Sequence, residues 1–205
     1  MKLNFTTLIF GLALYVAAAS GVNAATEDLL SNNNSIATAQ SLGNVGTAID
    51  VFGVRGTINF FGATVVDNDD ADYYRFFASA HRVITLRVDT PEGAILEHDP
   101  MVGLYSDAGL QLAVDDDSGP GNNSILSYSI GRSGIYFAAV SGFRDENFNG
   151  ISDFFEHEGT GNSTPGTNFL YHLQISAAPV PVPAASWLFG AALLCAAKLR
   201  KRIRA

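Results

Sequence analysis

The segment Val83-Ile84-Thr85-Leu86-Arg87-Val88 alternates apolar and polar side chains from Ile84 onward. In an extended chain Ile84, Leu86 and Val88 share one face, so this segment predicts a strand with one buried side. Similar short pieces recur from Val51 onward, separated by turn-forming segments such as Asp107-Ala108-Gly109. The predicted strands are 51–58, 72–78, 83–89, 101–106, 110–114, 125–130, 135–141 and 169–175. This pattern predicts an all-β sandwich; between the two ends of the chain, only Ser35–Leu42 suggests a helix.

Composition and charge set the class of protein. The chain has 205 residues, of which 47% are hydrophobic and 11% aromatic, which is enough apolar material for a folded core. A single cysteine excludes a disulfide framework. All 20 acidic residues lie between Glu27 and Glu158, where the only basic residues are arginines. Such an acidic region repels nucleic acid and attracts cations, so we expect no nucleic-acid partner.

Five segments of the middle region occur in the order found in a known bacterial module. They are Asn34–Ala39, Asp70–Phe76, Asp99–Tyr105, Leu112–Asp117 and Gly134–Gly142. The region from Asn32 to Ser176 thereby resembles the pre-peptidase C-terminal (PPC) domain. The resemblance implies a jelly-roll-like β-sandwich over residues 51–176, preceded by an N-terminal linker over residues 25–50. It also implies a non-catalytic accessory domain, and related collagen-binding modules hold calcium.

The N-terminus is typical of a secretory signal peptide. Lys2 precedes an apolar run from Leu8 to Ala19, and the small residues Val22 and Ala24 follow it. We therefore expect residues 1–24 to form a signal helix that signal peptidase removes after Ala24. The run is too short for a stable membrane span, which needs about 20 apolar residues.

The C-terminus combines a Pro-rich linker, 177–183, with an apolar run and a basic tail over residues 184–205. The 14-residue apolar run from Ala184 to Ala197 reaches about 21 Å as a helix, so this short transmembrane helix needs its flanks to cross the hydrocarbon core of about 30 Å. Pro181-Val182-Pro183, the Trp187-Leu188-Phe189-Gly190 segment and the Arg-rich end resemble the PEP-CTERM sorting signal. That resemblance implies an exosortase-type transpeptidase as partner, transient contact with the inner membrane and a Gram-negative envelope. The alternative is a lasting C-terminal anchor.

One segment carries a specific chemical pattern. Residues 145–156 match D-x-[DN]-x-[DN]-G-x5-E without a mismatch. Calcium prefers six to eight oxygen ligands, and this spacing supplies them from a loop that turns at Gly150. The predicted calcium ligands are Asp145, Asn147, Asn149, the carbonyl of Ile151, Asp153 and Glu156. The alternative is a polar hairpin loop without metal. Two other acidic groups, around Asp70 and Asp72 and at Asp115-Asp116-Asp117, are expected to be solvated turns. The alternative for Asp70 and Asp72, implied by the related collagen-binding modules, is a second calcium site.

No sequence motif indicates an enzyme. None of the four histidines belongs to an H-E-x-x-H or follows a G-x-S-x-G element. The sequence therefore favours an exported, non-enzymatic, calcium-stabilised protein of the cell surface or extracellular matrix. We expect it to be adhesive or associated with exopolysaccharide or a matrix protein. The alternative is a carbohydrate- or protein-binding accessory module that serves a secreted enzyme.

Overall fold

The computed structural model describes residues 23–26, 33–55, 57–60, 63–66, 71–90, 99–143, 145, 147–148 and 169–180. Within these ranges the chain forms strands joined by turns. The strands are β1 (Asn23–Thr26), β2 (Gln40–Asn44), β3 (Ala48–Arg55), β4 (Thr57–Phe60), β5 (Ala63–Val66), β6 (Asp72–Ala78), β7 (Arg82–Asp89), β8 (Pro100–Ser106), β9 (Gln111–Asp115), β10 (Ser124–Ile130), β11 (Gly134–Gly142) and β12 (Phe169–Pro179).

The strands form two five-stranded sheets. The first sheet has the order β1-β3-β12-β7-β10, and the second has the order β2-β6-β11-β8-β9. β1 pairs in parallel with β3 and β2 pairs in parallel with β6, whereas the remaining neighbours are antiparallel. β4 and β5 form a separate two-stranded hairpin. We call the first five-stranded sheet sheet A and the second five-stranded sheet sheet B.

The main core lies between sheets A and B. Alternating residues of β7 and β12, including Leu86 and Leu173, meet residues of β6 and β11 such as Phe76 and Val140. A second apolar cluster covers the opposite face of sheet B. Its buried members are Ala71, Tyr73, Met101, Tyr105, Phe137, Ala139 and Phe148. Sheet B is therefore buried on both faces, which explains the almost unbroken burial of β8 and β11.

The structure confirms the predicted all-β sandwich. β6 has the predicted bounds, and β7 begins one residue earlier than the alternating pattern predicted. Strands also occur before residue 51, because β2 and the start of β3 lie in the region assigned to the N-terminal linker. Likewise, β12 extends to Pro179, two residues past the predicted start of the Pro-rich linker.

The suggested helix at Ser35–Leu42 is wrong. The Thr38 amide donates to the Ser35 carbonyl at 3.1 Å, and the two side-chain hydroxyls are hydrogen-bonded at 2.7 Å. Serine and threonine favour such local turns because their hydroxyls compete for backbone partners. The chain then pairs with β6 from Gln40 onward, so tertiary pairing replaces the helical pattern.

Residues 1–22 of the predicted signal helix, 1–24, lie outside the described residues, and its last two residues, Asn23 and Ala24, form the start of β1 instead. The predicted C-terminal transmembrane helix, residues 184–205, also lies outside the described residues. Within the described ranges, no helix has the length and apolarity required to cross a membrane.

Candidate metal centre

The strand order gathers carboxylates at one end of the sandwich. In sheet B, the start of β8 and the end of β9 lie next to the end of β11 and the start of β6. In sheet A, the end of β7 lies between the starts of β10 and β12. Of the carboxylates in the described ranges, all except Asp50 and Asp107 lie at this end. We call it the acidic end; its described members are Asp72, Asp89, Asp99, Asp115, Asp116, Asp117 and Asp145.

Three of these residues form a compact cluster. Asp99, Asp116 and Asp117 each present a carboxylate oxygen, and the three oxygens lie within 4.8 Å of one another. Asp99 and Asp116 are half-buried and Asp117 is exposed. Two oxygens that share one calcium ion at about 2.4 Å can be no more than about 4.8 Å apart. The three oxygens meet this requirement for sharing one ion.

The loop that carries Asp116 and Asp117 is fixed by its own hydrogen bonds. Asp115 Oδ2 accepts from the amides of Ile125, at 2.7 Å, and Ser118, at 3.3 Å. Asn123 Oδ1 accepts from the amide of Thr90 at 3.1 Å, which ties the loop to the end of β7. The Ser124 hydroxyl lies between the carbonyls of Pro100 and Asp116. These bonds hold Asp116 beside the start of β8, where Asp99 lies.

The donor set of this cluster suits a hard cation. It offers oxygen and neither nitrogen nor sulfur, which is the preference of calcium and magnesium. Three carboxylates supply three to six oxygens, so neighbouring carbonyls or water would complete a calcium shell. Exposed acidic groups also occur without an ion, so the cluster is a candidate site.

The predicted calcium loop begins at the same end of the sandwich. Its first residue, Asp145, is fully buried and accepts a hydrogen bond from the Ser141 hydroxyl. Asn147 is exposed, two residues along the same turn. The other predicted ligands, Asn149, Ile151, Asp153 and Glu156, lie outside the described residues. The loop therefore remains a prediction, with its first carboxylate held beneath the surface.

Phe148 anchors the start of this loop to sheet B. Its side chain is 1% exposed and packs edge-on against Tyr105, with ring centroids 6.0 Å apart. The Tyr73 hydroxyl donates to the Phe148 carbonyl at 3.0 Å, and the Tyr105 hydroxyl donates to the Asn147 carbonyl at 3.3 Å. Burial raises the pKa of Tyr73, and the nearby Asp145 charge acts in the same direction. The first residues of the loop are therefore fixed by the second apolar cluster.

Sequence reasoning missed the partnership of Asp99 with Asp116 and Asp117. These residues are separated by the whole β8–β9 hairpin and meet only because Val102 pairs with Asp115 across it. The available signals were the carboxylate just before β8 and the Asp115-Asp116-Asp117 run just after β9. Asp72, by contrast, is not at the surface, because it is buried in the main core and accepts from the Tyr171 hydroxyl at 2.6 Å.

The described histidines show no catalytic arrangement. His172 Nε2 lies 2.9 Å from Asp50 Oδ1, and its ring stacks on Phe52 at a centroid distance of 4.6 Å. Gln174 donates to the same Asp50 oxygen at 3.0 Å. Among the described residues His172 bonds no hydroxyl or thiol, so this pair has no nucleophile there.

No family model and no curated protein matches this chain. Among solved structures, it is similar to the pre-peptidase C-terminal domain of a collagenase from Bacillus anthracis. The two are 16% identical with a TM-score of 0.36, over 68% of this chain and 94% of that one.

Two further structures show a comparable similarity. One is PliG of Aeromonas hydrophila, a periplasmic inhibitor of g-type lysozyme, at 12% identity and a TM-score of 0.37 over 68% of this chain and 99% of that one. Another is CorA of Methylomicrobium album BG8, a surface-associated copper-binding protein, at 10% identity and a TM-score of 0.38 over 68% and 98%.

Proposed function

We propose that this chain is an exported, non-enzymatic β-sandwich of the cell surface or extracellular matrix, stabilised by calcium at its acidic end. The observation that carries the proposal is the meeting of Asp99, Asp116 and Asp117 at the end where the predicted calcium loop begins. Two independent sets of oxygen ligands would then bind calcium at the same end of the sandwich. One set is contiguous in sequence, and the fold brings the other together.

The three carboxylates of the cluster repel one another when no cation is bound. Charged oxygens held within 4.8 Å of one another repel in the folded state, and the unfolded chain relieves this repulsion by separating them. A divalent cation reverses the sign of the interaction and so favours the folded state. Few carboxylates per ion and partial exposure suit a weak site, in the range of about 10⁻⁴–10⁻³ M that is typical of extracellular modules.

Calcium is expected to raise the melting temperature, and EDTA is expected to lower it. Binding at 100 times Kd adds about 2.7 kcal/mol to the free energy of unfolding. For a domain of this size that corresponds to a rise of roughly 5–11 °C. Magnesium should have a smaller effect, because it gives up its water less readily. The measurement is thermal unfolding in EDTA and in millimolar calcium or magnesium.

Two substitutions separate the ligand sets. Asp116→Asn removes a charge from the structural cluster, and Glu156→Gln removes one from the predicted loop; each should lower the calcium response if its site binds. Asp107→Asn is the matched control, because Asp107 is exposed at the opposite end of the sandwich. A melting temperature of the unsubstituted protein that is identical in EDTA and calcium would contradict the proposed metal centre.

Export and processing are tested by the mass of the mature protein. We expect the chain to begin at Ala25 and to lack the segment after Val182 or Pro183. The cut after Ala24 falls inside β1, yet Ala25 and Thr26 keep their partners Val51 and Phe52. The Gln40 side chain also donates to the Thr26 carbonyl at 2.9 Å, which holds the shortened strand. A secreted protein that retains Met1, or an envelope protein that retains Trp187, would contradict the respective cleavage.

We propose that the protein adheres to exopolysaccharide or to a matrix protein. The acidic, lysine-free middle region argues against anionic polymers bound by charge alone. We expect the purified protein to be retained by exopolysaccharide or matrix from a producing cell, and to be released when EDTA destabilises the acidic end. Equal retention by a bare support would contradict this role.

A further inference from the structure

We propose that the chain forms a two-fold symmetric dimer in which β10 pairs antiparallel with β10 of a second copy. The two A sheets would join into one continuous sheet across the dimer. The proposal rests on the exposed edge of sheet A, on the symmetry of the β10 sequence and on the charges at the two ends of the strand. It does not depend on calcium.

β10 is an edge strand whose own residues lack the usual protection against pairing; the Asp115 carboxylate accepts from its Ile125 amide and would have to release that amide to the Ser129 carbonyl of a partner strand. It is the last strand of sheet A in the described part of the chain, and all seven of its residues pair with β7 without a register shift. Its sequence, Ser-Ile-Leu-Ser-Tyr-Ser-Ile, has no charge, proline or glycine. Edge strands usually carry lysine, proline or a bulge that discourages pairing with another chain.

The other edges of the two sheets differ from β10. β1 has only four residues. The pairing of β2 with β6 shifts register between Ser41 and Gly43, and that of β9 with β8 shifts between Leu104 and Tyr105. β10 is thus the longest regular edge in the two sheets and the most suitable for strand addition.

The strand is self-complementary about Ser127. An antiparallel pair centred on this residue places Ser127 opposite itself, Leu126 opposite Tyr128 and Ile125 opposite Ser129. Leu126 and Tyr128 both pack against the main core, whereas Ser127 and Ser129 are exposed on the other face. Directly opposed residues therefore share a face, as an antiparallel ladder requires. A two-fold axis through such a pair is the usual geometry of a homodimer.

Charges at the two ends of β10 favour the antiparallel orientation. At the Ser124 end lie Asp115, whose carboxylate accepts from the Ile125 amide, and Asp117, which is exposed. At the other end, Arg82 pairs in register with Ile130, and the exposed Arg132 follows two residues later. The two-fold pairing places the acidic end of each copy beside the arginines of its partner. A parallel pairing would instead bring like charges together.

Exposed apolar side chains also lie near β10, on or next to the neighbouring strand of sheet B. β9 is the edge of sheet B that contacts β10. Leu110, just before β9, is 65% exposed and Val114 within it is 40% exposed.

The dimer is tested by sedimentation of the purified protein in EDTA, so that the aspartates carry no metal. We expect a concentration-dependent monomer–dimer equilibrium between roughly 1 µM and 1 mM, as suits a small interface, and weaker association at high salt. Ser127→Lys places two like charges on the symmetry axis and should weaken association on the order of tenfold or more. Ser41→Lys is the matched control, because Ser41 is an exposed serine on the opposite edge, and it should behave like the unsubstituted protein.

A cross-link tests the register directly. In a Cys195→Ala background, Ser127→Cys should form a disulfide with the same residue of a second copy under mild oxidation, whereas Ser41→Cys should not. A protein that stays monomeric throughout the concentration range would overturn the proposal. So would a Ser127→Lys variant that associates as tightly as the unsubstituted protein, or equal cross-linking at the two cysteine positions.

Discussion

Phe148→Ala is expected to lower the free energy of unfolding by about 3–5 kcal/mol, the usual cost of removing a fully buried aromatic ring. The ring fills the second apolar cluster against Tyr105, and no other described residue of its turn belongs to that cluster. It lies directly over Gly103, where an added Cβ would come within 2.7 Å of the ring. Thermal or denaturant unfolding measures the loss, and Phe143→Ala in the same segment is the matched control, because Phe143 is 38% exposed.

The backbone of Phe148 provides a second, finer test. Its φ of 57° lies in the left-handed region, which costs a non-glycine residue about 1–2 kcal/mol. Packing of the ring offsets that cost in the native protein. Phe148→Gly removes both the ring and the strain, so we expect it to be about 1 kcal/mol more stable than Phe148→Ala. If Phe148→Ala lowered the free energy of unfolding no more than Phe143→Ala does, the Phe148 ring would not be what stabilises this turn.

Gly53→Ala is expected to lower the free energy of unfolding by about 3 kcal/mol, which corresponds to roughly 6–12 °C for a domain of this size. A Cβ at this position would lie 2.2 Å from Cζ of Tyr171, the residue opposite Gly53 on β12. The ring would have to move, although its hydroxyl donates to the buried carboxylate of Asp72 and is hydrogen-bonded to Tyr74. Leaving a buried carboxylate without this donor adds to the cost of the clash.

The matched control is Gly134→Ala, since an added Cβ there meets nothing within 4 Å. This variant should be neutral or slightly stabilising, because alanine restricts the unfolded chain. Tyr171→Phe keeps the ring and removes only the hydroxyl, so it should cost less than Gly53→Ala, about 1–3 kcal/mol. Similar melting temperatures for Gly53→Ala and Gly134→Ala would contradict the close approach of Tyr171 to β3.

The class of fold and most of the strands follow from the amino-acid sequence. The alternation at Ile84, Leu86 and Val88 predicted β7, because one strand face meets the core and the other does not. Turn residues such as Gly109, with a φ of 77°, marked the ends of strands for an equally local reason. The suggested helix at Ser35–Leu42 failed because pairing with β6 decides the conformation of its second half.

Which distant residues meet depends on how the strands pair and the sheets pack. Asp99 and Asp116 are neighbours because the register of the β8–β9 hairpin brings its two ends together. Asp72 looked like an exposed turn residue, yet the stacking of the two sheets buries it against Tyr171. Periodicity along the chain is a property of each segment alone. Register and sheet packing depend on many segments at once, so the sequence predicts the strands and the fold assembles the site.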